Sequence, residues 1–309
     1  MSDKVPDRPT VAQRLLDVVG EDGVSLSEPL SEHITFKIGG PADVFVAPDS
    51  IESAERAIAV CREEGVPFFV LGRGSDLLVS DLGYRGVIIC MADALDDLVV
   101  EDEKLVCQAG VTLSDAAEMA CALGLTGLEF ACGIPGTVGG AVFMNAGAYG
   151  GQIADVLESV RVVDAAGEVR EMGVDELDLG YRHSRIADDG LFVLSATFAL
   201  EPGDEAEIRA TMVDLTERRE EKQPLELPSA GSTFKRPEGH FAGKLISDAG
   251  LQGYRHGGAE VSTKHAGFVV NVGDATAADV RAVIAHVQDE VERQFGVRLE
   301  PEVRFLGEF

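Results

Sequence analysis

The sequence predicts an α+β fold spread over more than one domain, and three observations carry that expectation. Apolar runs with strand spacing alternate with helical ones along the chain. Its 309 residues exceed what one core usually holds, and Glu201-Pro202-Gly203-Asp204 breaks the pattern ahead of a charged helix. Residues 11–19 carry helical spacing, and 43–47 read as a strand. Ser50 suits an N-cap, so a helix should run from there to about residue 64, closed by Gly65. Strands follow at 67–71, 77–80 and 87–90, then a hairpin over 98–108 and a helix capped by Ser114 and ended by Gly124. Residues 156–163 and 168–172 should pair about a turn at Ala166-Gly167, and 191–200 form another strand. Beyond the break come a helix over 205–221, a strand near 232–235 and a short helix at 242–249. A strand at 267–272, a long amphipathic helix over 277–295 and a final strand at 298–306 complete the order.

Charge excludes one class of partner. With 54 acidic against 26 basic residues the net charge is −28, which repels polyanions and argues against nucleic-acid binding. Residues 218–264 depart from this, with eight basic against six acidic side chains, and are the place to expect an anionic substrate. No apolar stretch approaches the roughly 18–20 residues that span a bilayer. The start, MSDKVPDRPT, lacks a basic-then-apolar leader, so a cytoplasmic protein without membrane insertion is expected. Five cysteines (Cys61, Cys90, Cys107, Cys121, Cys132) form no CxxC pair and read as buried thiols of a reducing compartment. The six histidines show no metal-ligand spacing, so no metal is assigned.

Glycine is concentrated in two places: Gly72-Arg73-Gly74-Ser75, just after an apolar run, and the segment GIPGTVGGAVFMNAGAYG from Gly133 to Gly150. Glycine permits positive φ and lets main-chain N–H groups approach an anion, at an entropic cost that a packing segment avoids. The second segment should therefore be neither helix nor strand but a loop against a ligand, and two such loops suggest one large phosphate-bearing ligand. Neither cluster fits a dinucleotide fingerprint, because Gly72-Arg73-Gly74 lacks the third glycine and leads into strand-like Asp76-Leu77-Leu78-Val79. Neither carries the Gly-Lys-Ser/Thr ending of a P-loop.

Seven motifs then occur in order. They are Thr35-Phe36-Lys37-Ile38-Gly39-Gly40-Pro41-Ala42, Leu71-Gly72-Arg73-Gly74-Ser75, the 133–150 run, and Tyr181-Arg182-His183-Ser184. Ser229-Ala230-Gly231-Ser232-Thr233-Phe234-Lys235-Arg236-Pro237, Lys264-His265-Ala266-Gly267-Phe268 and Leu299-Glu300-Pro301-Glu302-Val303-Arg304 follow. In these the chain resembles the UDP-N-acetylenolpyruvoylglucosamine reductases, also called UDP-N-acetylmuramate dehydrogenases, from Ser31 to Gly307. The resemblance implies a two-part FAD-binding domain of the vanillyl-alcohol-oxidase type followed by a smaller α+β substrate-binding domain. The boundaries would be an N-terminal helical segment at 1–30, the FAD domain at 31–203 with lobes of about 31–80 and 81–203, and the substrate domain at 204–309.

The implied chemistry is reduction of an enolpyruvyl ether to a lactyl ether, with NADPH reducing FAD and the flavin passing hydride to the substrate. Ser232 matches the family's proton donor. Arg182 and Glu302 match the residues that hold the substrate carboxylate and stabilise the enolic intermediate, a task for which a guanidinium fork suits a carboxylate. The cofactor would lie against Leu71, Gly72, Arg73, Gly74, Ser75 and Asp76, and against Gly133, Ile134, Pro135, Gly136, Thr137, Gly139, Gly140 and Asn145. Asp76 stands where the family usually has asparagine, and a carboxylate there would repel a pyrophosphate unless turned away or protonated. Lys222 and Lys264 match the family's basic residues near the nucleotide sugar, and Arg236, which replaces an asparagine found in some relatives, is a candidate contact for the diphosphate. The chain has no tyrosine between Tyr181 and Tyr254, which resembles the subclass without a tyrosine loop over the substrate. No protein partner is implied. A flavin oxidase acting on a small alcohol or lactone and a non-catalytic nucleotide-binding protein remain as alternatives. Product analysis separates the first, and bleaching by NADPH the second.

Overall fold

Helix and strand alternate as their apolar spacing requires, and α+β is the class of fold observed. The computed structural model describes residues 8–92, 94–164 and 167–309. The expected turn at Ala166-Gly167 has Ala166 outside the described residues, although the strands on either side, Leu157–Val163 and Val169–Gly173, do pair. The chain divides into two units. Unit 1 takes the residues up to Leu26 together with Val44–Arg73 and Gly86–Arg219. Unit 2 takes Ser27–Asp43, Gly74–Arg85 and Glu220–Phe309.

In unit 1, α1 (Arg8–Val19) packs on α2 (Ile51–Glu63). The Ser50 hydroxyl caps α2 by accepting the Ser53 amide at 3.2 Å, and Gly65 at φ +64° follows its end, both as expected. Strands Phe68–Leu71 and Tyr84–Cys90 run parallel in a four-stranded sheet completed by Pro41–Val46 and Val24–Pro29, of which Ser27–Pro29, Pro41–Asp43 and Tyr84–Arg85 count with unit 2. A five-stranded antiparallel sheet follows, in the order Val169–Gly173, Leu157–Val163, Phe192–Ala199, Lys104–Gln108, Leu98–Glu101. Its inward residues, among them Leu105, Cys107, Val160, Val162, Leu194 and Phe198, join one buried core with α3 (Leu113–Ala122) and α4 (Val138–Met144). Burial pushes the Cys61 and Cys107 thiols up to about 12, as suits inert core cysteines, whereas Cys132 is only half-buried.

Three expectations need correction here. Thr112 caps α3 by accepting the Asp115 amide at 3.0 Å, because the Ser114 hydroxyl is turned to donate to the Cys132 carbonyl. Glu201–Pro202, expected to break the pattern, is a short strand paired with Leu125–Thr126. After the four-residue α5 (Arg185–Asp188), the long α6 (Glu205–Lys222) runs with unit 1 as far as Arg219, since Ile208 and Met212 are buried in that unit's core.

Unit 2 holds an antiparallel sheet in the order Ser229–Ser232, Phe268–Asn271, Ala259–Val261, Arg255–His256, together with α7 (Ala242–Asp248) and α8 (Ala277–Phe295). The first strand lies earlier than expected. Val280, Val283, Ile284, Val287 and Val291 form the buried stripe of α8 at helical spacing. Thr276 and Asp279 close a capping box at its start, where the Asp81 carboxylate also accepts the Ala277 and Ala278 amides at 2.7 and 3.1 Å. The final strand is shorter than expected: only Arg304–Leu306 is regular, pairing in parallel with Leu77–Val79, because Pro301 ahead of it has no amide to donate. Among the described residues no helix is long and apolar enough to cross a membrane.

Candidate active site

The glycine run is not one loop. It loops as far as Thr137, whose hydroxyl accepts the Gly140 amide at 3.4 Å, and then enters α4 with Gly139 and Gly140 inside the helix. Packing accounts for part of its glycine. A Cβ on Gly139 would stand 3.0 Å from the Ala109 Cβ, where the Gly139 amide donates to the Ala109 carbonyl at 2.9 Å, and a Cβ on Gly133 would stand 2.9 Å from Arg219 Cδ. The amides of Ile134, Val138, Gly139 and Gly140 are all engaged within the protein, and the Gly136 carbonyl accepts the Leu113 amide. The expectation that amides throughout Gly133 to Gly140 face a phosphate is corrected accordingly.

The other cluster behaves differently. A Cβ on Gly72 would collide with the Thr137 hydroxyl, so the two glycine segments meet directly in unit 1, as a common ligand requires. Gly74 is buried, Gly72 and Ser75 are half-buried, and their three amides make no hydrogen bond among the described residues. Main-chain donors left over at this depth suit an anion, and the phosphates of FAD fit them. Leu71, Gly72 and Arg73 belong to unit 1, and Gly74, Ser75 and Asp76 to unit 2.

Arg182 lies on a tight turn of unit 1. Gly180 and His183 exchange main-chain hydrogen bonds of 3.0 and 3.3 Å around Tyr181 and Arg182, with Arg182 at φ +53° and its guanidinium carbon 5.4 Å from the Tyr181 ring centre. Asn145 ends α4 in the left-handed region at φ +42°.

Unit 2 pairs the segment that follows Ser232 with the one that carries Glu302. The register slips between Ser229 and Ser232, a bulge that Gly231 accommodates at φ +71°. Ser232 is left exposed, while Thr233 turns inward and its hydroxyl accepts the Val269 amide at 2.9 Å. The Thr233 carbonyl then accepts the Glu302 amide at 2.8 Å, Phe234 bridges Pro301, and the Lys235 amide donates to the Glu300 carbonyl at 2.9 Å. Two residues along, the Arg304 amide donates to the Asp76 carbonyl at 2.8 Å. His265 supports the same corner, its Nδ1 accepting the Gly267 amide at 3.1 Å, and burial lowers its pKa from the ordinary histidine value.

The expected basic surroundings are largely compensated by acids. Lys264 donates to the Glu220 carbonyl at 2.7 Å near the end of α6 and lies 3.7 Å from the Glu226 carboxylate. Arg218, Lys235 and Lys244 also face carboxylates. Lys222 is the exposed last residue of α6, and Arg236 lies over the Phe241 ring at 4.0 Å.

Arg219 was not singled out in the sequence. It is half-buried against Gly133, burial lowers its pKa, and its Nε makes no hydrogen bond among the described residues. Its signal was helical register: it follows the buried Ile208 and Met212 by eleven and seven positions, so it shares their face.

Comparison with known proteins covers both parts of the chain. Residues 42–173 match a family model described as FAD binding domain, and 223–306 match one described as UDP-N-acetylenolpyruvoylglucosamine reductase, C-terminal domain. The UDP-N-acetylenolpyruvoylglucosamine reductase of Clostridium beijerinckii is 53% identical over 288 residues, covering 93% of this chain and 94% of that one. The enzyme of the same name from Clostridium perfringens strain SM101 is 51% identical over 287 residues, again covering 93% and 94%. The crystal structure of the Thermus caldophilus UDP-N-acetylenolpyruvylglucosamine reductase is similar at a TM-score of 0.77 and 34% identity, over 92% of this chain and 98% of that one.

Proposed function

Because the chain belongs to the UDP-N-acetylenolpyruvoylglucosamine reductase family, flavin-dependent oxidoreductases of peptidoglycan precursor synthesis, we propose that it reduces UDP-N-acetylglucosamine enolpyruvate to UDP-N-acetylmuramate with NADPH as donor. What supports this most is the main-chain pairing of Thr233, next to exposed Ser232, with half-buried Glu302. Bound FAD, once reduced by NADPH, supplies the hydride for the vinyl group. The amides of Gly72, Gly74 and Ser75 would hold the cofactor's phosphates, while the Asp76 carbonyl accepts the Arg304 amide.

The protein must manage charge and a proton. Hydride addition at the terminal vinyl carbon pushes an electron pair toward the substrate carboxylate, and the Arg182 guanidinium holds that carboxylate through paired N–H donors. Glu302 joins Arg182 in stabilising the enolic intermediate. The Ser232 hydroxyl then gives its proton to the adjacent carbon, completing the lactyl ether. Lys222, Arg236 and Lys264 contribute positive potential toward the diphosphate. The strand Phe192–Ala199 begins shortly after the Arg182 turn, leaving no long insertion, and we assign the chain to the subclass without the tyrosine loop.

Anaerobic addition of NADPH to the flavin-loaded protein, followed by UDP-N-acetylglucosamine enolpyruvate, tests this reading. Bleaching of the flavin and its substrate-dependent return, with UDP-N-acetylmuramate as product, are expected. Bleaching without return would discard the substrate, and no bleaching would discard the donor.

A further inference from the structure

Arg182 occupies a backbone region that non-glycine residues avoid, and such a conformation persists only where the surroundings impose it. Two buried side chains do so. The Asn145 Nδ2 donates to the Gly180 carbonyl at 3.0 Å, at the base of the turn, and the Ser184 hydroxyl donates to the Phe143 carbonyl at 2.6 Å on its other side. Asn145 is 2% exposed and Ser184 0%. Asn145 is itself held firmly: its Oδ1 accepts the Ala154 amide at 3.0 Å, and its Nδ2 also reaches Gln152 Oε1 at 3.2 Å. Both of its amide hydrogens are therefore committed within the protein. The two clamps attach the Arg182 turn to the end of α4, which packs against the strand Phe192–Ala199.

We propose that Asn145 is a positioning residue for Arg182, fixing the Gly180–His183 turn so that the guanidinium meets the substrate carboxylate, and that it is not a ligand of the cofactor. Ser184 serves the same turn from its other end. The inference rests on the reading of Arg182 given above.

Asn145→Gly tests it well, because glycine accepts the left-handed conformation at the end of α4 while the amide is removed. Asn145→Asp keeps an acceptor for Ala154 and loses the donor to Gly180. Both variants should bind FAD and be bleached by NADPH within about twofold of the parent rate. Substrate-dependent reoxidation should slow by about 10- to 100-fold, with KM raised, as a misplaced guanidinium predicts. In an Arg182→Ala background, Asn145→Gly should add less than about threefold, since a positioning residue has nothing left to position. Loss of FAD, equal slowing of both half-reactions, unchanged reoxidation, or a full independent effect beside Arg182→Ala would each overturn the proposal. Should the Asn145 variants fail to fold, Ser184→Ala carries the test with the same pattern expected. If Arg182→Ala leaves reoxidation intact, the reading of Arg182 fails. If Arg182→Ala slows it and Asn145→Gly does not, only the positioning role fails.

Discussion

The turn that carries Arg182 hangs on two buried side chains, whereas Ser232 and Glu302 are set by main-chain pairing through Thr233 and Lys235. The two arrangements fail differently. A side-chain clamp depends on the identity of one residue, so a single truncation releases it. Main-chain pairing survives most side-chain replacements and is broken only where an N–H is removed. In unit 1 the Asn145 and Ser184 side chains are spent on holding the turn, while the Ser232 side chain in unit 2 takes no part in the pairing.

The largest effect should come from Ser232→Ala. Its exposed hydroxyl takes no part in the pairing, so the substitution should remove the proposed proton donor and leave the geometry. Reoxidation by substrate should slow by about 10²- to 10⁴-fold, with flavin bleaching and the thermal midpoint unchanged in stopped-flow and calorimetric measurements. A drop in thermal midpoint would mean that unit 2, too, relies on its reactive side chain for structure.

An intermediate effect should separate Lys235→Pro from Lys235→Ala. Proline removes the amide that donates to the Glu300 carbonyl, a loss of about 1–3 kcal/mol. With the pairing opened, reoxidation should fall by about tenfold or more. Alanine removes only an exposed ion pair with Glu300 at 3.5 Å, a loss of about 0–1 kcal/mol. Denaturant titration and turnover together decide the matter, and equal damage from the two substitutions would end the main-chain account.

The smallest effect concerns His265, a side-chain acceptor beside the paired segment. Its folded pKa lies below the ordinary value of 6.5 because burial disfavours the cation. Below that pH the unfolded chain takes up a proton that the folded protein resists, so stability is present above it and declines as pH falls toward the folded value. The thermal midpoint should fall on the order of 2 °C more on acidification to about pH 5.5 in the parent than in His265→Gln. A midpoint that rises on acidification, or an identical profile in His265→Gln, would remove His265 from the support of this corner.

Legibility followed the range of the interactions concerned. The limits of α8 could be read because Thr276, Asp279 and the valine stripe all lie within the helix or next to it, and Gly296 follows at φ +70°. Ser50 and Gly65 marked α2 in the same way. The α3 cap was misplaced by two residues because Thr112 and Ser114 both offer a hydroxyl, and only the distant Cys132 carbonyl decides between them. Arg219 was hidden in a run of charges whose buried face shows only once α6 packs on unit 1.

Sequence alone determined the order of most elements, the family and the residues offered for the chemistry, because caps, apolar periods and contiguous motifs are local properties. Only the tertiary structure decided which glycines make room for protein and which amides remain for a ligand, through Gly133 against Arg219 and Gly72 against Thr137. It likewise decided that Asn145 holds Gly180 and that Thr233 holds Glu302. Those pairs are 35 to 86 positions apart in the chain, and the partner that uses a polar group at such a distance is chosen by packing, not by neighbours in sequence.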